Sequence, residues 1–221
     1  MITGKTAVIC VDLQNEYRQG AAWPVLGYDG VLANAARLIG AAHAAAAPLV
    51  HLQAWVDEAD RAAYARQEDC LSDETRSAVA GSDGAAICDE VAPAAGDIVV
   101  RKQWPSGFMG TDLESILRER GVEDLIVTGV VTDSCVQGTV YDAVYRGFRV
   151  WLVKDACSSL SRMMHRTAVL DMANRLYGGG VLSTAEAVKA LAGEPHGAWR
   201  CTRPIEFAYE ADTLDRFYEA L

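Results

Sequence analysis

Three residues of this chain have the right types to do covalent chemistry together: Asp12, Lys102 and Cys135. Each falls at the end of an apolar run. TAVICVDL closes near Asp12, IVVRK closes on Lys102, and DLIVTG runs into the turn that carries Cys135. A cysteine nucleophile needs a group to take its proton and a cation to favour its anion, and a carboxylate and an ammonium are such groups. A cysteine where a strand turns into a helix also faces the positive end of the helix dipole and several unpaired backbone N–H groups. Together with an adjacent ammonium these bring a thiol to a pKa of about 3.5–7.5, so a reactive thiolate is expected. Spacing alone leaves open that the three residues are unrelated, with Asp12 a cap or turn residue. The four histidines (His43, His51, His165 and His196) fall on helices, mid-strand or in the tail, and none is obviously placed as a base.

The elements that must position these groups follow from the hydrophobic pattern. Thr6–Leu13 and Leu49–Trp55 are continuous apolar runs of the kind found in buried parallel strands. Ile98–Arg101, the run from Asp124 and Phe148–Lys154 read the same way, and GGGVLST is a short strand or its approach. Between them lie helical patterns. Over Asp29–Ala46, Val31, Leu32, Ala35, Leu38, Ile39 and Ala42 share one face, with Asp29 as a cap. Thr111–Arg120, Arg162–Leu176 and Ala185–Leu191 are further helices, the first stopped by Gly121. Gln14–Pro24 reads as a loop with Tyr17 and Trp23 exposed. Residues 57–97 form a long, mostly irregular connection with a short helix over Glu58–Gln67, of a length that is often functional. Alternating strands and helices imply an α/β domain with a mostly parallel sheet and helices on both faces. Strand C-termini converge at one rim of such a sheet, so Asp12, Lys102 and Cys135 can meet there.

With 221 residues, 51 % of them hydrophobic, the chain has the size of one well-buried domain. Residues 1–192 are read as that domain. Residues 193–221 are read as an aromatic tail (Trp199, Phe207, Tyr209, Phe217, Tyr218) packing on the domain or on a partner subunit. A net charge of −10 gains little from phosphate backbones or anionic membranes, so neither nucleic acid nor membrane is an expected partner. MITGKTAVICVDL lacks the layout of a signal peptide, which points to the cytoplasm. The six cysteines show no CxxC or Cys/His metal spacing and are expected to be reduced thiols.

Several blocks make the chain similar to the isochorismatase-like cysteine hydrolases. They are AVICVDLQNEY around Asp12, GDIVVRKQWPSGFMGTDL around Lys102, LIVTGVVTDSCVQGTVYDAVYRGFRVWLVKDACSS around Cys135, and MMHRTAVLDMANRLYGGGVLSTAEAV. They run in family order over residues 5–191, with GVVTDSCV the most specific; 57–97 and the tail match poorly. The resemblance implies a three-layer αβα sandwich with a six-stranded sheet and a Cys–Asp–Lys triad at Cys135, Asp12 and Lys102. It implies a cis peptide between Val130 and Val131, with the N–H groups of Val131 and Cys135 forming an oxyanion hole. It implies a homo-oligomer, dimer or tetramer.

Within that family the sequence favours amidohydrolases of small linear C–N compounds, above all N-carbamoyl or ureido amides, with no cofactor and no metal. Nicotinamidases of this type carry an Asp-x-His pair and a further His after the second strand, where this chain has HLQAWVD. His51 then reads as a core or hydrogen-bonded residue. Isochorismatases proper cleave a vinyl ether, which offers a thiolate no carbonyl to attack. Tyr17, Trp104, Phe108 and Trp55 are candidates to wall the substrate pocket and Thr132 to hydrogen-bond substrate, with ordinary packing or turn shaping the competing role for each. A silent family member acting as an oligomeric binding partner stays open, as does a thiol-redox protein pairing Cys135 with Cys157.

Overall fold

The computed structural model describes residues 5–57 and 77–221. The helix expected over Glu58–Gln67, and Cys70, lie outside the described residues. The chain alternates as expected: β1 (Thr6–Val11), α1 (Tyr28–Ala44), β2 (Leu49–Ala54), β3 (Ile98–Lys102), α2 (Leu113–Glu119) and β4 (Asp124–Gly129). A π-helical turn, Thr132–Val136, leads into α3 (Gln137–Tyr145), followed by β5 (Arg149–Cys157), α4 (Arg162–Ala173), β6 (Gly180–Leu182) and α5 (Thr184–Leu191). The tail adds β7 (Trp199–Arg200) and α6 (Leu214–Glu219).

Among the described residues the sheet has seven strands in the order β3-β2-β1-β4-β5-β6-β7, not six. The extra strand comes from the tail: Trp199 and Arg200 pair antiparallel with Val181 and Gly180, covering an edge of the sheet that would otherwise expose unpaired backbone groups. The other named strands pair in parallel. The runs of β1, β2, β4 and β5 are largely buried on both faces, whereas β3, at the sheet edge, leaves Val99 and Arg101 exposed. Val8, Cys10, Ile126, Trp151 and Val153 face α1 and α5 on one side. Ile9, Val11, Val127, Val150 and Leu152 face α2, α3, α4 and α6 on the other.

The strand order reverses beside β1. The chain steps outward from β1 to β2 and β3, then returns so that β4 pairs with the opposite edge of β1, in register from Thr6↔Asp124 to Val11↔Gly129. The crevice outside the carboxyl ends of β1 and β4 is thus the topological switch point, where open α/β sheets bind ligands. Gly129 makes the approach possible. Its φ is +127°, and a Cβ there would lie 2.1 Å from the Val11 carbonyl oxygen. The Val130–Val131 peptide bond that follows is cis.

Several helix boundaries differ from the sequence reading, among them that of α2, whose cap position is Asp112 and not Thr111. Asp29 does not cap α1: the cap position is Gly27, in the left-handed region at φ 67°, and Asp29 lies in the first turn. α4 stops at Ala173, and the Asn174 side chain at its C-cap turns to the tail, donating to the Phe207 carbonyl at 2.9 Å and accepting from its N–H at 2.8 Å. Phe207 is buried in the core and touches the rings of Trp199 and Phe217, 5.2 and 5.5 Å away.

Candidate active site

Asp12 follows the last residue of β1, with its backbone in the left-handed region at φ 48°. The side chain is completely buried, and its Oδ1 accepts from the Ala54 N–H at 3.0 Å. Its Oδ2 meets Lys102 Nζ at 2.7 Å. Lys102 ends β3, two strands away, and is itself buried; its ammonium also donates to the Trp104 carbonyl at 3.2 Å. The Cys135 thiol, in the π-helical turn after β4, lies close enough to Asp12 and Lys102 for both to act on its titration. The fold therefore brings together the three residues on which the sequence reading centred.

Their electrostatics differ from expectation. Burial pushes the Cys135 thiol up to about 12; Asp12 adds to this, and Lys102 opposes it without prevailing. The expected range of about 3.5–7.5 presumed a cation free to favour thiolate and an exposed helix N-terminus. Instead the Lys102 charge is engaged by Asp12 at 2.7 Å, and the α-helix proper begins only at Gln137, past Cys135. The resting site thus holds a thiol beside a carboxylate. For Lys102, burial opposes the charge, but Asp12 and Cys135 outweigh it and raise its pKa.

Backbone bonds frame the turn. Val130 N–H donates to Val11 O at 3.0 Å and Thr132 N–H to Ser158 O at 2.9 Å. The N–H of Val131 between them has no backbone acceptor among the described residues. A second frame, which the sequence reading missed, comes from glutamines. Gln14 accepts from Ala54 N–H at 2.9 Å and donates to the Ala54 and Ala85 carbonyls. Gln53 donates to the same Ala85 carbonyl at 2.8 Å. Buried Glu16 accepts from Ser77 Oγ and from the Ala78 N–H. The connection of residues 77–97 is thereby tied to the segment after β1. No spacing rule flags these residues, because their partners are separated by up to 71 positions.

The candidate pocket residues divide. Tyr17 is buried, not exposed, and packs edge-on against Tyr28 at 6.2 Å. Burial raises its phenol pKa, and Asp12 and Cys135 add to the shift. Trp104 is half-buried next to Lys102, to which its carbonyl is bonded. Phe108 belongs to the core, 5.9 Å from the Phe148 ring. Thr132 is fully buried, and its hydroxyl is paired with His165 Nδ1 at 2.9 Å. Trp55 carries the Arg101 guanidinium on its ring at 3.8 Å, along an open groove shared with Gln53, Ile87 and Pro93. The loop after Lys102 is anchored to α3: Ser106 bonds Asp142, and the Gly107 N–H donates to Thr139 Oγ1 at 3.0 Å.

A model of the isochorismatase domain matches residues 6–186. The chain belongs to the isochorismatase family. Among curated relatives of this isochorismatase-family chain, the ureidoacrylate amidohydrolase of Methylobacterium radiotolerans is 32 % identical over 213 residues, covering 87 % of this chain and 81 % of that one. The N-carbamoylsarcosine amidase of an Arthrobacter species is 30 % identical over 194 residues, covering 86 % and 73 %. Among solved structures, the pyrazinamidase of Pyrococcus horikoshii in complex with zinc superposes with a TM-score of 0.71 at 28 % identity, covering 81 % of this chain and 99 % of that one.

Among the described residues, no three His, Cys, Asp or Glu side chains converge to hold a metal. His51 is a buried mid-strand residue whose Nε2 lies 3.6 Å from Asp97 Oδ2, too long for a hydrogen bond. No helix among the described residues is long and apolar enough to cross a membrane. Cys10, Cys88, Cys135, Cys157 and Cys201 are free thiols.

Proposed function

We propose that this isochorismatase-family hydrolase is a cysteine-dependent amidohydrolase of small linear amides, with Cys135 as nucleophile, Asp12 as acid–base and Lys102 as electrostatic partner. The observation that carries this reading is the buried Asp12–Lys102 pair at the switch point with the Cys135 thiol close enough for both to act on its titration. A thiol held up to about 12 does not attack unaided near neutral pH, so it needs a base at the moment of attack, and Asp12 is that base. As Asp12 takes the proton, sulfur attacks the substrate carbonyl, and the carbon–oxygen electron pair moves to oxygen. The N–H groups of Val131 and Cys135 receive that oxyanion. The tetrahedral adduct collapses, the C–N bond breaks, and the departing nitrogen takes the proton from Asp12. Asp12 then draws a proton from water, which attacks the thioester and releases the acid and the thiol. Lys102 keeps its charge throughout.

N-carbamoyl and ureido compounds are the favoured substrates. Support comes from the relatives named for ureidoacrylate and N-carbamoylsarcosine, each at 30 % identity or more over most of both chains. The test is ammonia release from N-carbamoyl amino acids, ureidoacrylate, biuret, maleamate and nicotinamide, with the Cys135→Ala protein alongside. Turnover of a ureido or N-carbamoyl compound that disappears in the variant is the expected result. Full activity in Cys135→Ala would refute the mechanism, and a preference for nicotinamide would refute the substrate class.

A further inference from the structure

The nucleophile turn is held from a part of the chain that lies outside the family match. Thr132 opens the turn, and its Oγ1 lies 2.9 Å from His165 Nδ1 on α4. The other ring nitrogen, Nε2, lies 3.0 Å from the Tyr218 hydroxyl. The two rings meet edge-on, with centroids 5.6 Å apart. Tyr218 sits on α6, beyond residue 186 where the match to the family ends. α6 is clamped in place around this ring. Arg166 pairs with Asp215 and Glu219, and Lys154 donates to the Tyr218 carbonyl at 3.1 Å. Arg166 and Lys154 also lie over the Tyr218 ring, 4.5 and 4.8 Å from its centre. Burial, Arg166 and Lys154 bring the His165 imidazole down to about 4, with Asp133 opposing. A neutral imidazole has one nitrogen that donates and one that accepts, so Tyr218, His165 and Thr132 form a hydrogen-bonded line with both ring nitrogens in use.

We propose that His165 and Tyr218 are positioning residues that lock the turn 132–136 through Thr132, and so keep the Cys135 thiol aligned with Asp12 and Lys102. The C-terminal helix then serves as a brace for the nucleophile rather than a decoration of the domain. The proposal rests on the reading of Cys135 as nucleophile. Both act through Thr132, so their loss is expected to slow the reaction without weakening binding. A small misplacement of reacting groups can cost up to about 100-fold in rate.

Tyr218→Phe removes the hydroxyl and keeps the ring. It is expected to lower kcat about tenfold with KM changed less than about twofold and Tm within about 2 °C. His165→Gln lowers kcat at least as much. The double variant is no slower than His165→Gln alone, because both changes break one line. Thr132→Val, which removes the hydroxyl and keeps the shape, loses as much as His165→Gln. Hydrogen exchange read by mass spectrometry needs no substrate: the peptide spanning 130–137 is expected to exchange faster in Tyr218→Phe, with the strands unchanged. An unchanged kcat in Tyr218→Phe, or multiplicative losses in the double variant, overturns the proposal. Should the wild-type protein turn over no amide, exchange decides. Faster exchange at 130–137 then sustains the brace while the amide reading fails, and unchanged exchange overturns the brace as well.

Discussion

Replacing Lys102 by Met tests whether the Asp12–Lys102 pair is the electrostatic centre of the fold. Lys102 is 2 % exposed and Asp12 0 %, and the charged atoms are 2.7 Å apart. Met preserves most of the side-chain volume, so the loss is chiefly electrostatic. Removing one partner of a buried pair leaves an uncompensated charge and costs about 3–5 kcal/mol. Since domains are stable by about 5–15 kcal/mol, this is a large share of the total. With a slope of about 3 kcal/mol per molar urea, the unfolding midpoint falls by about 1–2 M. The double variant Asp12→Asn/Lys102→Met removes both charges and is expected to recover at least half of the loss. The pH dependence has a definite sign. The folded-state pKa of Lys102 is raised, so its stabilisation is fully present below the unfolded lysine value of about 10.4 and is lost as pH rises through the higher folded value. The gap between wild type and Lys102→Met is therefore flat from about pH 7 to 9 and narrows above about 10.4. The assay is urea unfolding followed by tryptophan fluorescence and circular dichroism at each pH. A Lys102→Met protein within about 1 kcal/mol of wild type, or a double variant as unstable as the single, would refute the reasoning.

Three further outcomes are expected. Gly129→Ala forces a Cβ to 2.1 Å from the Val11 carbonyl at a φ of +127°; soluble expression should collapse, and a well-folded variant in a thermal melt would contradict the close approach of β4 to β1. Asp124→Asn leaves Arg149 and Trp151, which now donate to the buried carboxylate at 2.7–2.9 Å, facing a neutral amide; the loss is about 2–3 kcal/mol by urea unfolding, and no measurable loss would remove Asp124 from the account. Alkylation of Cys135 by iodoacetamide, timed by mass spectrometry in the absence of substrate, should remain slow through pH 9 and climb only towards the thiol's value of about 12; an inflection at or below pH 7 would restore the thiolate that the sequence suggested.

The outcome at the candidate site separates what is local from what is not. Apolar runs ending at Asp12 and Lys102, and the strand leading to Cys135, are written in contiguous residues, because a buried parallel strand needs an unbroken apolar stretch whatever surrounds it. The alternation of these runs with 3.6-period helices was enough to name the sheet, its two covered faces and a rim at which the three groups can meet. The tertiary structure alone decided the rest. Pairing of β4 with β1 sets Val11 opposite Gly129, so the turn of Cys135 opens beside Asp12. The net pull on the thiol depends on burial and on two charges that are 33 and 123 positions away in the chain. The seventh strand is two residues long, too short to carry a period, and exists because the β6 edge accepts it. Gln14, Gln53, His165 and Tyr218 have unremarkable local surroundings, and their partners are brought to them by the fold. A sequence records where hydrophobic periodicity begins and ends. Which distant polar groups share a buried space, and so which charge prevails, follows from strand order and packing.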